Sequence, residues 1–250
     1  MDWRRSDSGV RWLEAELGPA TVAFPARTGG VSEGPFESLN LGISTGDEPA
    51  LVSENRRRLM LALGLESTPA ATARQVHGDR VLQHDASEGE VHLGSGAWRS
   101  ASAAEEEADA HVANTSGLAL VVLTADCLPV AVYGSRGLGL AHCGWRGLEV
   151  ELAGKIAAEV RADRAVLGPS IGPCCYSVGP EVAARFEEVP GAIVDGRLDI
   201  RAVARAQLEA EGVAQIEQAE ICTSCDEEAL FSHRRDGAAS GRGGAVAWLN

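Results

Sequence analysis

Three short segments of this chain carry side chains that bind soft metal ions. They are Gln75-Val76-His77-Gly78, Ala125-Asp126-Cys127-Leu128-Pro129 and Ala141-His142-Cys143-Gly144-Trp145-Arg146-Gly147. Each lies beside an apolar run, at a point where a strand should give way to a loop, and side chains at such junctions can converge. His77, Cys127 and His142 would fill three corners of a zinc tetrahedron and leave the fourth open, the way catalytic zinc is held. An open position on zinc brings the acidity of bound water close to neutrality. The same trio also suits a second chemistry, with Cys127 as nucleophile and His77 or His142 as its base, which would serve amide hydrolysis. Spacing alone is a weak guide, because separations of 50 and 15 residues match no compact zinc motif. A lone Cys in an apolar run is most often a core residue, and a lone His most often a structural hydrogen-bonder.

The elements that must position the trio can be read from hydrophobic period and turn chemistry. Thr21–Phe24 reads as a short strand running into a glycine-rich turn, Arg27-Thr28-Gly29-Gly30-Val31-Ser32. Pro49 stands where a helix starts, Leu51, Val52, Leu59, Ala62 and Leu63 mark its apolar face, and Gly64 is its C-cap. Leu118–Thr124 and Leu128–Tyr133 are apolar and β-branched, hence buried strands, and Gly137–Ala141 is another. Leu148, Leu152, Ile156 and Val160 recur every four residues, which predicts one helix from Gly147 to Arg161. Arg164–Leu167 and Ala245–Leu249 read as strands, and Pro180–Phe186 and Arg201–Glu211 as helices. From Gln83 to Ala108, Ser, Gly, Ala and Glu dominate, which predicts a long surface loop. No repeat or interdomain linker interrupts the chain, so a single α/β (α+β) domain with mixed sheets and peripheral helices is the simplest architecture.

Composition narrows the function. The chain has 250 residues, 45% of them hydrophobic, and a formal net charge of -14. That is enough apolar material for a sizeable core, and too acidic a surface for nonspecific nucleic-acid or anionic-membrane binding. Any anionic substrate must be held by local arginines. The longest apolar stretch, residues 117 to 134, is broken by Asp126 and Pro129 and is too short to span a bilayer. No apolar segment follows the first residues, which predicts a cytoplasmic address. In that compartment the six cysteines would stay reduced.

The words around the trio carry a more specific message. Arg74-Gln75-Val76-His77-Gly78, Thr124-Ala125-Asp126-Cys127-Leu128-Pro129 and Ala141-His142-Cys143-Gly144-Trp145-Arg146-Gly147 resemble the YfiH family. It is also called the laccase-domain, multicopper polyphenol oxidoreductase or peptidoglycan-editing-factor family. Further segments fit in order: Arg27-Thr28-Gly29-Gly30-Val31-Ser32, Ser38-Leu39-Asn40-Leu41-Gly42, Glu54-Asn55-Arg56, Ala108-Asp109-Ala110, Gly168-Pro169-Ser170-Ile171-Gly172, Tyr176-Ser177-Val178-Gly179, Phe231-Ser232-His233-Arg234-Arg235 and Gly241-Arg242. Coverage runs from about residue 21 to 249. The resemblance implies a single domain of two mixed sheets forming a sandwich surrounded by helices. It implies zinc on His77, Cys127 and His142. It also implies phosphorolysis of adenosine, inosine, guanosine and methylthioadenosine, with deamination of adenosine. Two positions depart from the family's words: Cys143 stands where Ala is usual, and His233 where Tyr is usual. The neighbour of His142 in a strand points to the opposite face, so Cys143 reads as a small core residue.

Phosphorolysis needs a phosphate site, and the arginine fork binds two oxygens at once. Arg27, Arg56, Arg146 and Arg242 are candidates, with Ser32 and Asn40 as neutral donors. Arg56-Arg57-Arg58 cannot all face inward on one helix, so at least one is solvated. Asp126 would act as acid or base, or else orient His77 or His142 as a hydrogen-bond partner; Arg146 would stabilise charge or pin its loop; Asp109 reads as structural. Cys222-Thr223-Ser224-Cys225 is a lone C-x-x-C and Cys174-Cys175 has poor ligand spacing, so these four read as core or loop cysteines. A copper polyphenol oxidase, which the family's older name suggests, needs many imidazoles, and the chain has six histidines with no His-x-His pair. Soft Cys/His ligation would still bind copper opportunistically.

Overall fold

Period-two alternation sorts the strands into two faces, and the faces build the layers. A computed structural model of the chain describes residues 1–84 and 106–250. Fourteen strands occur among these residues: β1 (Asp2–Arg5), β2 (Arg11–Leu17), β3 (Ala20–Pro25), β4 (Ala70–Ala71), β5 (Val81–His84), β6 (Ala110–Ala113), β7 (Ala119–Thr124), β8 (Leu128–Gly134), β9 (Gly137–Cys143), β10 (Ala162–Leu167), β11 (Ile193–Val194), β12 (Arg197–Leu198), β13 (Gln215–Gln218) and β14 (Gly243–Leu249). The α-helices are α1 (Pro49–Ala62), α2 (Trp145–Glu149), α3 (Leu152–Val160), α4 (Pro180–Ala183), α5 (Ile200–Ala210) and α6 (His233–Asp236). One mixed sheet has the order β1-β2-β3-β14-β7-β4, the other β13-β10-β8-β9-β6-β5.

The two sheets face each other. Leu120 and Val122 of β7, with Ala245 and Ala247 of β14, pack against Ala131, Leu138, Leu140 and Val166 of the other sheet. Their alternates, Ala119, Val121 and Val246, point the other way and meet Leu59 and Met60 of α1. Val130 and Val132 of β8 likewise turn outward to Leu148, Leu152, Ile156 and Val203 of α2, α3 and α5. The result is a helix–sheet–sheet–helix stack. Each fully buried Leu or Val in it contributes about 1.5–3 kcal/mol of transfer free energy.

The strands expected from the sequence coincide with β3, β7, β8, β9, β10 and β14, with Leu118 lying just before β7. Strands β1 and β2 extend the first sheet beyond the expected core, and β2 buries Leu13, Ala15 and Leu17 on one face. Gly64 has φ +71, the left-handed conformation expected of a C-cap. The expected helix from Gly147 to Arg161 is two helices, because Glu151 adopts φ 61. That turn redirects the chain, and the Leu148 carbonyl there accepts both from the Glu151 amide at 3.1 Å and from Gln207 Nε2 at 2.6 Å. The expected helix Pro180–Phe186 ends at Ala183. Of the expected loop from Gln83 to Ala108, Gln83 and His84 belong to β5, and residues 85 to 105 lie outside the described ones. Among the described residues no helix is long and apolar enough to cross a membrane.

One buried histidine on the second sheet ties fold to pH. His111 on β6 is 1% exposed, and its Nδ1 lies 3.1 Å from His84 Nε2 on β5. Burial, with the neighbouring His84, pushes the His111 pKa down to about 3. The unfolded chain therefore binds a proton that the folded chain refuses, and this contribution to stability is present above pH ~6.5 and lost as pH falls toward 3. Replacing His111 by Gln should flatten the acid limb of the unfolding-temperature profile by up to about 1.4 kcal/mol per pH unit below 6.5. Thermal melts of both proteins from pH 7 to 4 check it; parallel profiles would contradict it.

Candidate metal centre and cleft

His77, Cys127 and His142 meet at one end of the sandwich. Their ligand atoms all lie within 4.8 Å of one another. Each arrives by a different route. His142 is the penultimate residue of β9, and its neighbour Cys143 turns the opposite way into the helix-side core at 0% exposure, as alternation demands. Cys127 occupies the tight turn between β7 and β8, where Asp126 is held at φ 96. His77 sits at φ 61 in the segment between β4 and β5. Non-glycine residues with positive φ are uncommon and tend to collect at functional sites.

Two side chains clamp the His77 segment. Gln75 forms a two-way amide pair with the Leu123 backbone, Nε2 donating to the carbonyl and Oε1 accepting from the amide, both at 2.7 Å. Asp109 is 1% exposed and accepts from the backbone amides of Val76 at 3.1 Å, His77 at 3.0 Å and Gly78 at 2.7 Å. Its Oδ1 also lies 2.8 Å from His142 Nδ1. A carboxylate can only accept, so Nδ1 carries a proton and Nε2 is the nitrogen left for the centre. This is the outer arrangement that orients a metal-binding imidazole. Asp126, expected as the alternative orienting group, is engaged elsewhere: Thr223 Oγ1 and the Arg234 amide both donate to it at 2.6 Å.

The donor set fits zinc. Burial pushes the Cys127 thiol up, but the charge of His142 and hydrogen bonds from both imidazoles outweigh it and hold the thiol well below its ordinary value. His142 moves the opposite way: burial lowers it, and Cys127 and Asp109 raise it by more. A thiolate between two imidazoles is poised for a soft cation. Gly144 leaves the room, since a Cβ there would stand 3.0 Å from His77 Cδ2 and 3.1 Å from Cys127 Sγ.

The trio opens into a cleft of about 660 Å³, a size typical of small-molecule sites. Arg56, Arg146, Arg234 and Arg242 line it, together with the rings of Trp145, Tyr176 and His233. Arg56 is 9% exposed, donates from Nε to the Leu41 carbonyl at 2.8 Å, and is brought down to about 10 by burial. Arg57 and Arg58 instead pair with Glu54 on the outside of α1. Arg242 packs over Gly42, where a Cβ would come within 2.7 Å of its Cγ. Arg146 is exposed, its guanidinium carbon 4.3 Å from the Trp145 ring centre. The Tyr176 hydroxyl is pushed up to about 12 by burial and the nearby Cys127 and Asp126 charges, so the ring stays neutral.

Arg27, Ser32 and Asn40, expected as phosphate ligands, are not part of the cleft lining. Arg27 donates to the carbonyls of Glu37 and Glu227 and stacks on Phe231. Ser32 donates to Asp47 at 2.6 Å and accepts from Asn55 at 2.8 Å. Asn40 is fully buried; its amide donates to Thr45 and Asp47, and its oxygen accepts from the Gly42 and Arg242 amides. These residues shape the loop beneath Gly42–Thr45 and seat Arg242, and no polar atom remains on Asn40 for a ligand. The clamping role of Gln75 and the contact of Asp109 with His142 are not evident from the sequence. Asp109's signal is a lone carboxylate at the mouth of a buried strand. The four remaining exposed or half-buried cysteines, Cys174, Cys175, Cys222 and Cys225, are not separate loop residues; they form a second group with all sulfurs within 4.8 Å.

Residues 21–250 match the family described as multi-copper polyphenol oxidoreductase laccase. A Xylella fastidiosa (strain 9a5c) protein named purine nucleoside phosphorylase is 39% identical over 241 residues, with 88% of each chain covered. Purine nucleoside phosphorylase YfiH of Escherichia coli (strain K12) is 39% identical over 240 residues, covering 89% of this chain and 91% of that one. The crystal structure of Bacillus licheniformis hypothetical protein YfiH superposes with a TM-score of 0.85 at 31% identity, covering 99% of both chains.

Proposed function

We propose that this chain, which belongs to the multi-copper polyphenol oxidoreductase laccase family, is a zinc-dependent phosphorylase of purine nucleosides. One observation carries the reading. A three-ligand soft-metal set, arginine side chains and aromatic rings share a single cleft. Relatives bearing the name purine nucleoside phosphorylase support it.

Phosphorolysis joins a phosphate oxygen to C1′ of the ribose and breaks the bond from C1′ to the purine nitrogen, and the base leaves with a proton. The anion must be held in place and the charge of the departing base offset. Arg56 and Arg242 supply fixed positive charge at one end of the cleft, and Arg146 can fold its fork onto an oxyanion without giving up a hydrogen bond. The rings of Trp145, Tyr176 and His233 offer stacking surface for a purine once Arg146 and Arg234, which lie over the first two, move aside, worth about 1–3 kcal/mol per base. Asp126 holds the Arg234 backbone and Thr223, and so shapes the wall rather than moving a proton. Zinc held by His77, Cys127 and His142 would supply Lewis-acid chemistry, the property that deamination of adenosine would draw on.

The donor count argues against multicopper chemistry. Among the described residues the two groups able to hold a metal contain two imidazoles between them, far fewer than a mononuclear and a trinuclear copper centre require. A Cys127-based amide hydrolase draws support from the thiolate–imidazole geometry, and it competes with zinc for one sulfur.

The test is product analysis. Zinc-loaded protein incubated with adenosine should release adenine and ribose 1-phosphate only when phosphate is present. Inosine would reveal deamination. No product from adenosine, inosine or methylthioadenosine would sink the nucleoside reading. Arg146→Ala should leave the melting temperature unchanged and raise the phosphate KM about 10-fold, the loss of one charge-assisted contact. An unchanged phosphate KM would remove Arg146 from the anion site.

A further inference from the structure

We propose that Cys174, Cys175, Cys222 and Cys225 form a second metal centre, a closed tetrathiolate that takes zinc. It shares no residue with the His77–Cys127–His142 set and stands whatever the cleft's reaction is.

Two turns build it. In the first, the amides of Cys175 and Tyr176 both donate to the Gly172 carbonyl at 3.0 Å, which turns Cys174 and Cys175 to one corner. In the second, the amides of Cys225 and Asp226 both donate to the Cys222 carbonyl at 3.1 Å, the loop expected of a C-x-x-C ligand pair. A parallel bridge between Ser170 and Cys222 zips the two turns together. All four sulfurs then lie within 4.8 Å of one another, with Cys225 Sγ 3.6 Å from Cys174 Sγ and 3.4 Å from Cys175 Sγ. Zinc–sulfur bonds of about 2.3 Å at tetrahedral angles place sulfurs about 3.8 Å apart, so ligation needs only small shifts.

Three observations favour a metal over packing or a disulfide. Cys174 and Cys225 are exposed and Cys175 and Cys222 half-buried, whereas a cysteine used for packing belongs in the core. A disulfide joins two sulfurs and leaves the mutual approach of all four unexplained. The Gly172 amide donates to Cys222 Sγ at 3.2 Å, the kind of N–H···S contact that offsets thiolate charge. Glycine at 172 also keeps space open, since a Cβ there would lie 3.3 Å from Cys174 Sγ.

Four protein ligands complete the tetrahedron, so this centre has no open position and its role is structural. Its two turns feed the cleft. Ile171 and Tyr176 line the cleft, and Thr223, inside the C-x-x-C, holds Asp126 at 2.6 Å. A metal here fixes one wall of the cleft without touching its chemistry.

The experiment is metal stoichiometry on the full chain, loaded with zinc under reducing conditions and desalted. Wild type should retain two equivalents. Cys127→Ala, in which the tetrathiolate is the remaining site, should retain one, and a thiol-specific mercurial should release it. Cobalt-loaded Cys127→Ala should show the intense visible bands of tetrahedral cobalt with thiolate-to-metal charge transfer. Cys225→Ser should lose one equivalent. Should Cys225→Ser fail to fold, the Cys127→Ala measurements decide alone. Cys127→Ala protein that retains no zinc and gives no cobalt–thiolate bands overturns the proposal. So does an intact mass two hydrogens light per chain in protein purified under reducing conditions, the mark of a disulfide.

Discussion

Asp109→Ala should weaken zinc binding by about 10–100-fold and cost about 3–5 kcal/mol of stability. The size follows from what one carboxylate does. It accepts from three successive amides, those of Val76, His77 and Gly78, and from His142 Nδ1. Truncation leaves four donors without their partner, and a donor left unmade in a buried site costs about 1–3 kcal/mol. It also frees the imidazole to turn and to place its proton on either nitrogen. Asp109→Asn separates the two roles, because the amide oxygen can still accept from the backbone while its NH₂ cannot accept from Nδ1–H. Asn should therefore recover most of the stability and little of the metal affinity. Denaturant unfolding and a competition titration against a chelator check both. Wild-type zinc affinity in the Ala variant would remove Asp109 from the centre.

Cys127→Ala should abolish zinc binding at the cleft and lower turnover of adenosine at least about 10³-fold, the loss expected when several kcal/mol of metal-derived stabilisation disappears. The thiolate is the only anionic ligand of the three, so the two imidazoles alone offer a neutral, two-point site. The fold should persist, since Cys127 lies in a turn at the sandwich's end and contributes nothing to the core between the sheets. Cys127→Ser tests the softness of the donor: a hydroxyl of similar size should restore little zinc. Zinc analysis beside steady-state rates checks both variants. Full turnover in Cys127→Ala protein lacking the cleft zinc would detach the reaction from that metal, and the anion site would then have to carry it alone.

How much of this was legible in the sequence depends on how local each cause is. The strands β7, β8 and β9 announce themselves through β-branched runs, and α1 through its Pro49 and Gly64 boundaries, because period and capping are properties of neighbouring residues. The break at Glu151 is not local: it brings Leu148 and Leu152 into the same cluster, and Gln207, far along the chain, donates from Nε2 to the Leu148 carbonyl at the break. His77, Cys127 and His142 are visible as residue types, yet only the pairing of β8 with β9 and the Gln75 and Asp109 clamps bring them together. Asp109 looks structural in sequence because its partners lie 31 to 33 residues away. Arg27, Ser32 and Asn40 have the right chemistry for phosphate, but the structure spends it on neighbouring loops. Cys174-Cys175 has a spacing that argues against ligation until the second turn arrives from 50 residues downstream.

The placing of β14 carries a consequence for biogenesis. This strand, Gly243–Leu249, lies between β3 and β7 and hydrogen-bonds to both, and Arg242, at its doorstep, lines the cleft. A ribosome delivers residues in order, so β3 and β7 must wait, their inner edges unpaired, until translation has passed residue 249. Unpaired strand edges recruit other chains. The nascent polypeptide therefore passes most of its synthesis with an open seam down the middle of one sheet and no finished cleft. A premature stop anywhere before Gly243 would yield an adhesive, open sheet rather than a smaller folded domain.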